Sequence, residues 1–282
     1  MDHATNDTVE VLNVMMRQET SNYLTQSRLY DQSTTIDGEC RRLMVAWCIQ
    51  VSDFCQFDQN TFCVAINILD RFMAKQRHIL NENNAQFQLV AMACLYTAVK
   101  TNEPMALDPA TMSRLSKGAF SAKQIEDMEY NILETIGWLV NVPTALSFAD
   151  IFLKLLPSGS TNKVQEKFIL KLIKHQIIYA IQDSRFLGMP ASEIAFTAAY
   201  NATMMTVGNL TCQKAYRSLQ QSIKTNLLPL SLESVLMLQA QNSGILADFI
   251  PIAPQRAQRR KSSSKSSAQS HLSPRCVTMS RQ

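Results

Sequence analysis

The chain has 282 residues, 46% of them hydrophobic, and a net charge of +4 from 27 Lys and Arg against 23 Asp and Glu. That is room for one large domain or two of about 130 residues, with apolar matter enough for a sizeable core. Only 7 residues are glycine, far below the usual ~7%, which excludes collagen-like repeats, glycine-rich sheets and dinucleotide folds built on glycine turns. With 14 methionines, the composition points to helices.

No apolar run reaches the ~18–20 residues that span a bilayer. The start, Met1-Asp2-His3, has neither the basic nor the apolar region of a signal peptide, so no membrane contact is expected. Seven cysteines (Cys40, Cys48, Cys55, Cys63, Cys94, Cys212, Cys276) include no C-x-x-C pair, and five fall in apolar helical stretches. They read as reduced core thiols of a cytosolic or nuclear protein. Residues 255–282 hold 7 Lys or Arg, eight serines and no acid, leaving 20 basic and 23 acidic residues, a net of −3, for residues 1–254. The basic character is therefore a property of the tail, which lacks the apolar residues to order itself. The body has no basic excess with which to bind nucleic acid.

In chain order, a weak amphipathic segment, Val9–Thr20, comes first. Asp37 is placed to cap a helix to about Phe54, and Asp58 another to about Lys75. A third helix is expected from Asn84 to Thr101. Asp108-Pro109 is an N-cap followed by the residue tolerated at the first helical position, opening a short helix that ends before Gly118. Ser121 and Gln124 fit a capping box for a fifth helix stopping near Gly137. After Pro143 the pattern restarts, with helices at Thr144–Leu156, Lys163–Gln182, Pro190–Val207, Cys212–Lys224 and Ser231–Gln241. No segment alternates with period two long enough to be a strand. The expected fold is all-α: two consecutive five-helix bundles with a short N-terminal helix and a disordered C-terminal tail. The expected boundaries are an arm at 1–36, a first bundle at 37–141, a second at 142–247 and the tail at 248–282.

Catalytic signatures are missing. The four histidines (His3, His78, His175, His271) are dispersed, and there is no nucleophile elbow, phosphate loop or zinc motif. A binding or scaffold role is the better expectation, without enzyme activity, metal or cofactor. Lys100 stands where an apolar third helix emerges. Glu129 and Leu133, four apart, share a face of the fifth. Such a cation and anion either face a partner or form an ordinary surface ion pair worth about 0–1 kcal/mol. Arg41 and Asp70 each lie among apolar residues, where a charge is costly unless compensated, so they are expected to pair as a structural lock. Trp47, one of two tryptophans, is expected in the core.

Five motifs follow one another in the chain: Arg41-Arg-Leu-Met-Val-Ala-Trp47, Leu69-Asp-Arg-Phe72, Phe87-Gln-Leu-Val-Ala-Met-Ala-Cys-Leu-Tyr-Thr-Ala-Val-Lys100, Met128-Glu129 and Ile136-Gly-Trp138. In that order and spacing they resemble the cyclin box, over about residues 10–150. Residues 144–245 resemble the more variable second cyclin box, most clearly at Asp183-Ser-Arg-Phe186 and Met189-Pro-Ala. The short arm and the Glu-Thr-Ile-Gly-Trp138 stretch are more similar to D-type or G1-like cyclins than to mitotic ones.

The resemblance implies a regulatory subunit that binds and allosterically activates a cyclin-dependent kinase in cell-cycle control, in nucleus and cytoplasm. The alternative is a transcription-type cyclin or a cyclin-fold adaptor in transcription or nutrient signalling. By the resemblance, Lys100 and Glu129 grip the kinase beside the helix carrying its catalytic glutamate, and Leu133, Trp138 and Val140 share that surface. Cys40, Leu43, Met44, Trp47, Gln50, Phe87 and Gln88 match a groove that recruits Arg-x-Leu substrates or inhibitors, or else pack helix against helix. Cys40 stands where Met is usual there, and Gln50 where an acid is usual. In the tail, Ser262 follows Arg259-Arg-Lys and Ser273 precedes Pro274, so both are candidate phosphorylation sites. The cluster from Arg256 to Lys261 reads equally as a nuclear localisation signal or as a solvated tail.

Overall fold

A computed structural model describes residues 3–22, 29–30, 35–81, 84–105, 107–156, 161–207 and 210–223. The helix expected at 231–241 and the tail with Ser262 and Ser273 lie outside them. Every regular element among the described residues is helical. Helix α1 is His3–Asn22 and α2 is Gly38–Cys55, the latter capped by Asp37, whose carboxylate accepts from the N–H groups of Glu39 and Cys40. Asp58 caps α3 (Gln59–Lys75), which runs into a 3-10 turn at Arg77–Asn81. Helix α4 (Asn84–Asn102) is apolar on nearly every side, as a central helix must be. Asp108 caps α5 (Pro109–Leu115), and Ser121 with Gln124 forms the capping box of α6 (Ala122–Ile136).

The second set opens at Thr144, which makes a capping box with Ser147 for α7 (Ala145–Lys154). Asn162 caps α8 (Lys163–Gln182), a 3-10 turn covers Ser184–Phe186, and α9 (Ala191–Thr206) and α10 (Leu210–Ile223) follow. Helix α4 packs against α2, α3, α5 and α6, and α9 packs against α7, α8 and α10. The two sets meet where α2 touches α8 and α3 touches α7. Most of their buried apolar residues join in one connected core, with Ala180 and Phe186 forming a small separate cluster. The contact is tight at Gly38: a Cβ there would lie 2.7 Å from Ser184 Oγ.

The N-terminal helix is longer than Val9–Thr20. Leu12 and Met16 are buried and α1 lies against α7, so it draws its burial from the second set. Its far end does something its amphipathic pattern does not announce. The cap position of α9 is Pro190, which has no side-chain cap bond. Instead Glu19 reaches across: the Ser192 N–H donates to Oε1 at 3.0 Å and the Ser192 hydroxyl to Oε2 at 2.5 Å. A carboxylate from one helix thus caps the start of another, where the dipole favours negative charge.

Burial raises the Glu19 pKa above its ordinary 4.5, the Ser192 hydrogen bonds lower it in part, and nearby Glu193 raises it further. The folded state therefore holds this proton more tightly than the unfolded chain. The Glu19 contribution is greatest below pH 4.5 and declines as pH rises through the raised folded pKa. Glu19→Gln keeps an acceptor for the Ser192 N–H without the charge. Thermal melts at pH 4.5 and 7.5 should show it matching the wild type at the lower pH and exceeding it at the higher. Glu19→Ala should be less stable at both, by about 1 kcal/mol or more.

Candidate functional site

Helix α4 surfaces at its C-terminal end with Lys100, while α6 lies alongside and carries Glu129. The two meet: Lys100 Nζ donates to Glu129 Oε2 at 3.1 Å. The pair is asymmetric, the Lys100 side chain being 42% exposed and that of Glu129 10%. The ammonium also sits 5.0 Å from the Tyr96 ring centroid, within cation–π range. Burial raises the Tyr96 pKa, Lys100 opposes that, and Glu129 adds to it. The result is a fixed cation at the surface above a nearly covered anion.

Apolar side chains follow Glu129 in the chain. Leu133, one turn beyond Glu129, is half-buried, as is Val140, while Tyr130 and Trp138 are about 60% exposed and Leu139 is exposed too. Trp138 adopts φ +62, directly after Gly137 at φ +69. A left-handed backbone costs a residue with a Cβ about 1–2 kcal/mol. A bulky residue held so, with its ring in solvent, is a surface feature that folding does not by itself require.

The seven groove residues lie on α2 and α4, which pack together. Met44, Trp47 and Phe87 are buried in the core, Cys40 and Gln88 are half-buried, and Leu43 and Gln50 are exposed. Cys40 Sγ faces Asn84 Oδ1 at 3.9 Å, and the Phe87 ring packs edge-on to Tyr30. The floor is thus a packed helix interface, with Leu43 and Gln50 on its outer side. Among the described residues no group of three or more His, Cys, Asp or Glu could hold a metal ion. No described helix is long and apolar enough to cross a membrane.

Against known proteins, residues 10–141 match the family described as "Cyclin, N-terminal domain". Residues 10–141 are thus a cyclin N-terminal domain. It is 28% identical over 175 residues to the G2/mitotic-specific cyclin-B of Emericella nidulans, covering 62% of this chain and 34% of that one. It is 32% identical over 171 residues to Cyclin-D3-1 of Arabidopsis thaliana, covering 59% and 42% respectively. The chain therefore spans less than half the length of these curated relatives. A viral cyclin from herpesvirus saimiri shares the fold, with a TM-score of 0.65, 17% identity, and coverage of 83% of this chain and 96% of that one.

Within this cyclin fold, Arg41 and Asp70 form a doubly bonded pair inside the protein. Arg41 Nε donates to Asp70 Oδ1 at 2.8 Å and Nη2 to Oδ2 at 2.7 Å. The remaining Nη1 donates to the Ile181 carbonyl at 2.6 Å, near the end of α8. The Tyr30 hydroxyl donates to Asp70 Oδ1 at 3.0 Å, and the guanidinium lies 5.7 Å from the Tyr30 ring. Burial lowers the Arg41 pKa, but the attraction and hydrogen bonds of Asp70 outweigh it and hold it above the ordinary value. Burial, with Asp70 adding, also keeps the Tyr30 hydroxyl protonated.

The sequence motifs hold Arg41 and Asp70 but carry no sign of Tyr30 or of the Ile181 carbonyl. Nor do they single out Arg71 or Lys75, which donate to backbone carbonyls at the end of α6 and just beyond it. The distance along the chain hides all four contacts.

Arg41→Met leaves the Asp70 carboxylate buried with the Tyr30 hydroxyl but without its cation. In urea unfolding it should lose about 3–5 kcal/mol. Adding Asp70→Leu should recover most of that loss. A double variant no more stable than the single one would show that the Ile181 contact, not the pair, is what matters.

Proposed function

We propose that the chain is a regulatory subunit, not itself catalytic, that binds and allosterically activates a cyclin-dependent serine/threonine kinase through the face around Lys100 and Glu129. The observation that carries this is the 3.1 Å Lys100–Glu129 pair, half open to solvent and followed by the exposed ring of Trp138. It joins charge, an aromatic anchor and partial burial, which is how interface hot spots are composed. A face of this kind activates by complementarity to one of two partner conformations, and shifts the balance by its difference in affinity for them. The net −3 of residues 1–254 speaks against a cyclin-fold protein that bridges DNA. Action in G1, within nucleus and cytoplasm, is the finer reading. The Glu-Thr-Ile-Gly-Trp138 stretch and the 32% identity to Cyclin-D3-1 support the G1 part.

Truncating Glu129 strips the partner from a cation that a bound kinase would cover. Glu129→Ala should weaken kinase binding by at least about a hundredfold and leave the melting temperature nearly unchanged. Binding measured with a purified cyclin-dependent kinase tests this, and wild-type affinity in the variant would refute the assignment.

We also propose that Arg-x-Leu peptides dock beside Leu43, with Cys40, Gln50 and Gln88 forming the rim. The support is the half-buried or exposed state of these four residues over the buried Met44, Trp47 and Phe87. A labelled Arg-x-Leu peptide should bind saturably and lose that binding in Leu43→Ala. A titration with no saturable binding retires the idea.

A further inference from the structure

The end of α6 is a hook rather than a simple stop. Gly137 and Trp138 are both left-handed. The Trp138 N–H donates back to the Leu133 carbonyl at 2.9 Å, and the Val140 N–H to the Trp138 carbonyl at 3.0 Å. The first bond spans six residues, the 6→1 bond of a Schellman-type ending. The chain reverses tightly here, and the indole projects from the reversal with 62% of the residue exposed.

Two cations from α3, one helical turn apart, donate into this hook. Lys75 Nζ donates to the Thr135 carbonyl at 2.7 Å, and Arg71 Nη1 to the Leu139 carbonyl at 2.8 Å. The two acceptors stand on either side of Trp138 in the chain. The Thr135 carbonyl, in the last turn of α6, has no partner further along the helix and carries the negative end of its dipole, so a cation is the fitting donor there, while Leu139 lies just past the helix end. Arg71 is itself buried, whereas Lys75 is exposed. Arg71 also follows Asp70 directly, so the same turn of α3 that anchors the Arg41 network reaches the hook.

The Trp138 ring is mostly in solvent, so its backbone fixes where it leaves the chain and which rotamers it can take. That backbone sits in a conformation a tryptophan does not choose freely. We propose that Arg71 and Lys75 are positioning residues: by clamping the carbonyls flanking the hook, they present Trp138 in one fixed orientation to the kinase. This rests on the kinase-binding reading above. Neither residue need touch the kinase, because a preformed anchor spares the complex the entropy of ordering it.

The full chain labelled with 5-fluorotryptophan tests this. It gives two fluorine resonances, one from Trp47 in the core and one from Trp138, assigned with Trp138→Phe. In Lys75→Gln and Arg71→Gln the Trp138 resonance should broaden or shift while that of Trp47 stays in place. Affinity for a purified cyclin-dependent kinase should fall about tenfold with both substitutions combined, and less than about twofold when they are added to Trp138→Ala. An unchanged Trp138 resonance in both single variants overturns the proposal. So does an equal loss of affinity in the Trp138→Ala background, because the cations would then act without the tryptophan. If Arg71→Gln also displaces the Trp47 resonance, exposed Lys75→Gln decides by the same criteria, and the conservative Arg71→Lys, which keeps a cationic donor, should hold the Trp138 resonance closer to its wild-type place than Arg71→Gln does. If the wild-type chain binds no such kinase, the kinase-binding reading falls, and the fluorine spectra alone decide whether the clamp exists.

Discussion

One guanidinium fixes how the two halves of this chain are set against each other. Arg41 belongs to α2, its carboxylate partner to α3, and its carbonyl acceptor to the last turn of α8. Burying an arginine is tolerable only when its donors are satisfied and its charge is matched. Here that demand draws three helices to a single point. The arrangement is a weak source of net stability compared with apolar packing, but it is highly directional. Register between the bundles follows from it, because sliding α8 by one residue would remove the carbonyl from the fork.

The caps explain why so much of the helix order was readable in advance. Asp37, Asp58, Asp108, Ser121, Thr144 and Asn162 each accept hydrogen bonds from backbone within a few residues, so their meaning is local and written beside them. Residues such as Glu19, Arg71 and Tyr30 act over distance. Glu19 lies 173 positions from Ser192, and Arg71 lies 68 from Leu139. No periodicity relates such partners. The pairing of Lys100 with Glu129 sits between these cases, since the cyclin-like motifs named both residues but only the packing of α4 on α6 brings them to 3.1 Å.

The candidate groove shows the limit of motif reading from another side. Its residues are apolar for two reasons that a sequence does not separate, the need to pack α2 on α4 and the capacity to take up a peptide. Burial separates them in part. Met44, Trp47 and Phe87 serve the helix interface, and Leu43 and Gln50 face outward. Trp138 is a different case, because an exposed tryptophan in a left-handed turn adds little to the interior.

Gly38 gives the junction a property beyond its strength. With Ser184 Oγ 2.7 Å and its Cβ 3.3 Å from where a Cβ on Gly38 would stand, the backbone at the first turn of α2 lies directly against a side chain of the 3-10 turn after α8. Any larger residue would act as a shim. It would tilt one half against the other while each kept its own packing, and the Arg41 fork would feel the change first. A single methyl group at this point could therefore turn a rigid two-part template into a hinged one.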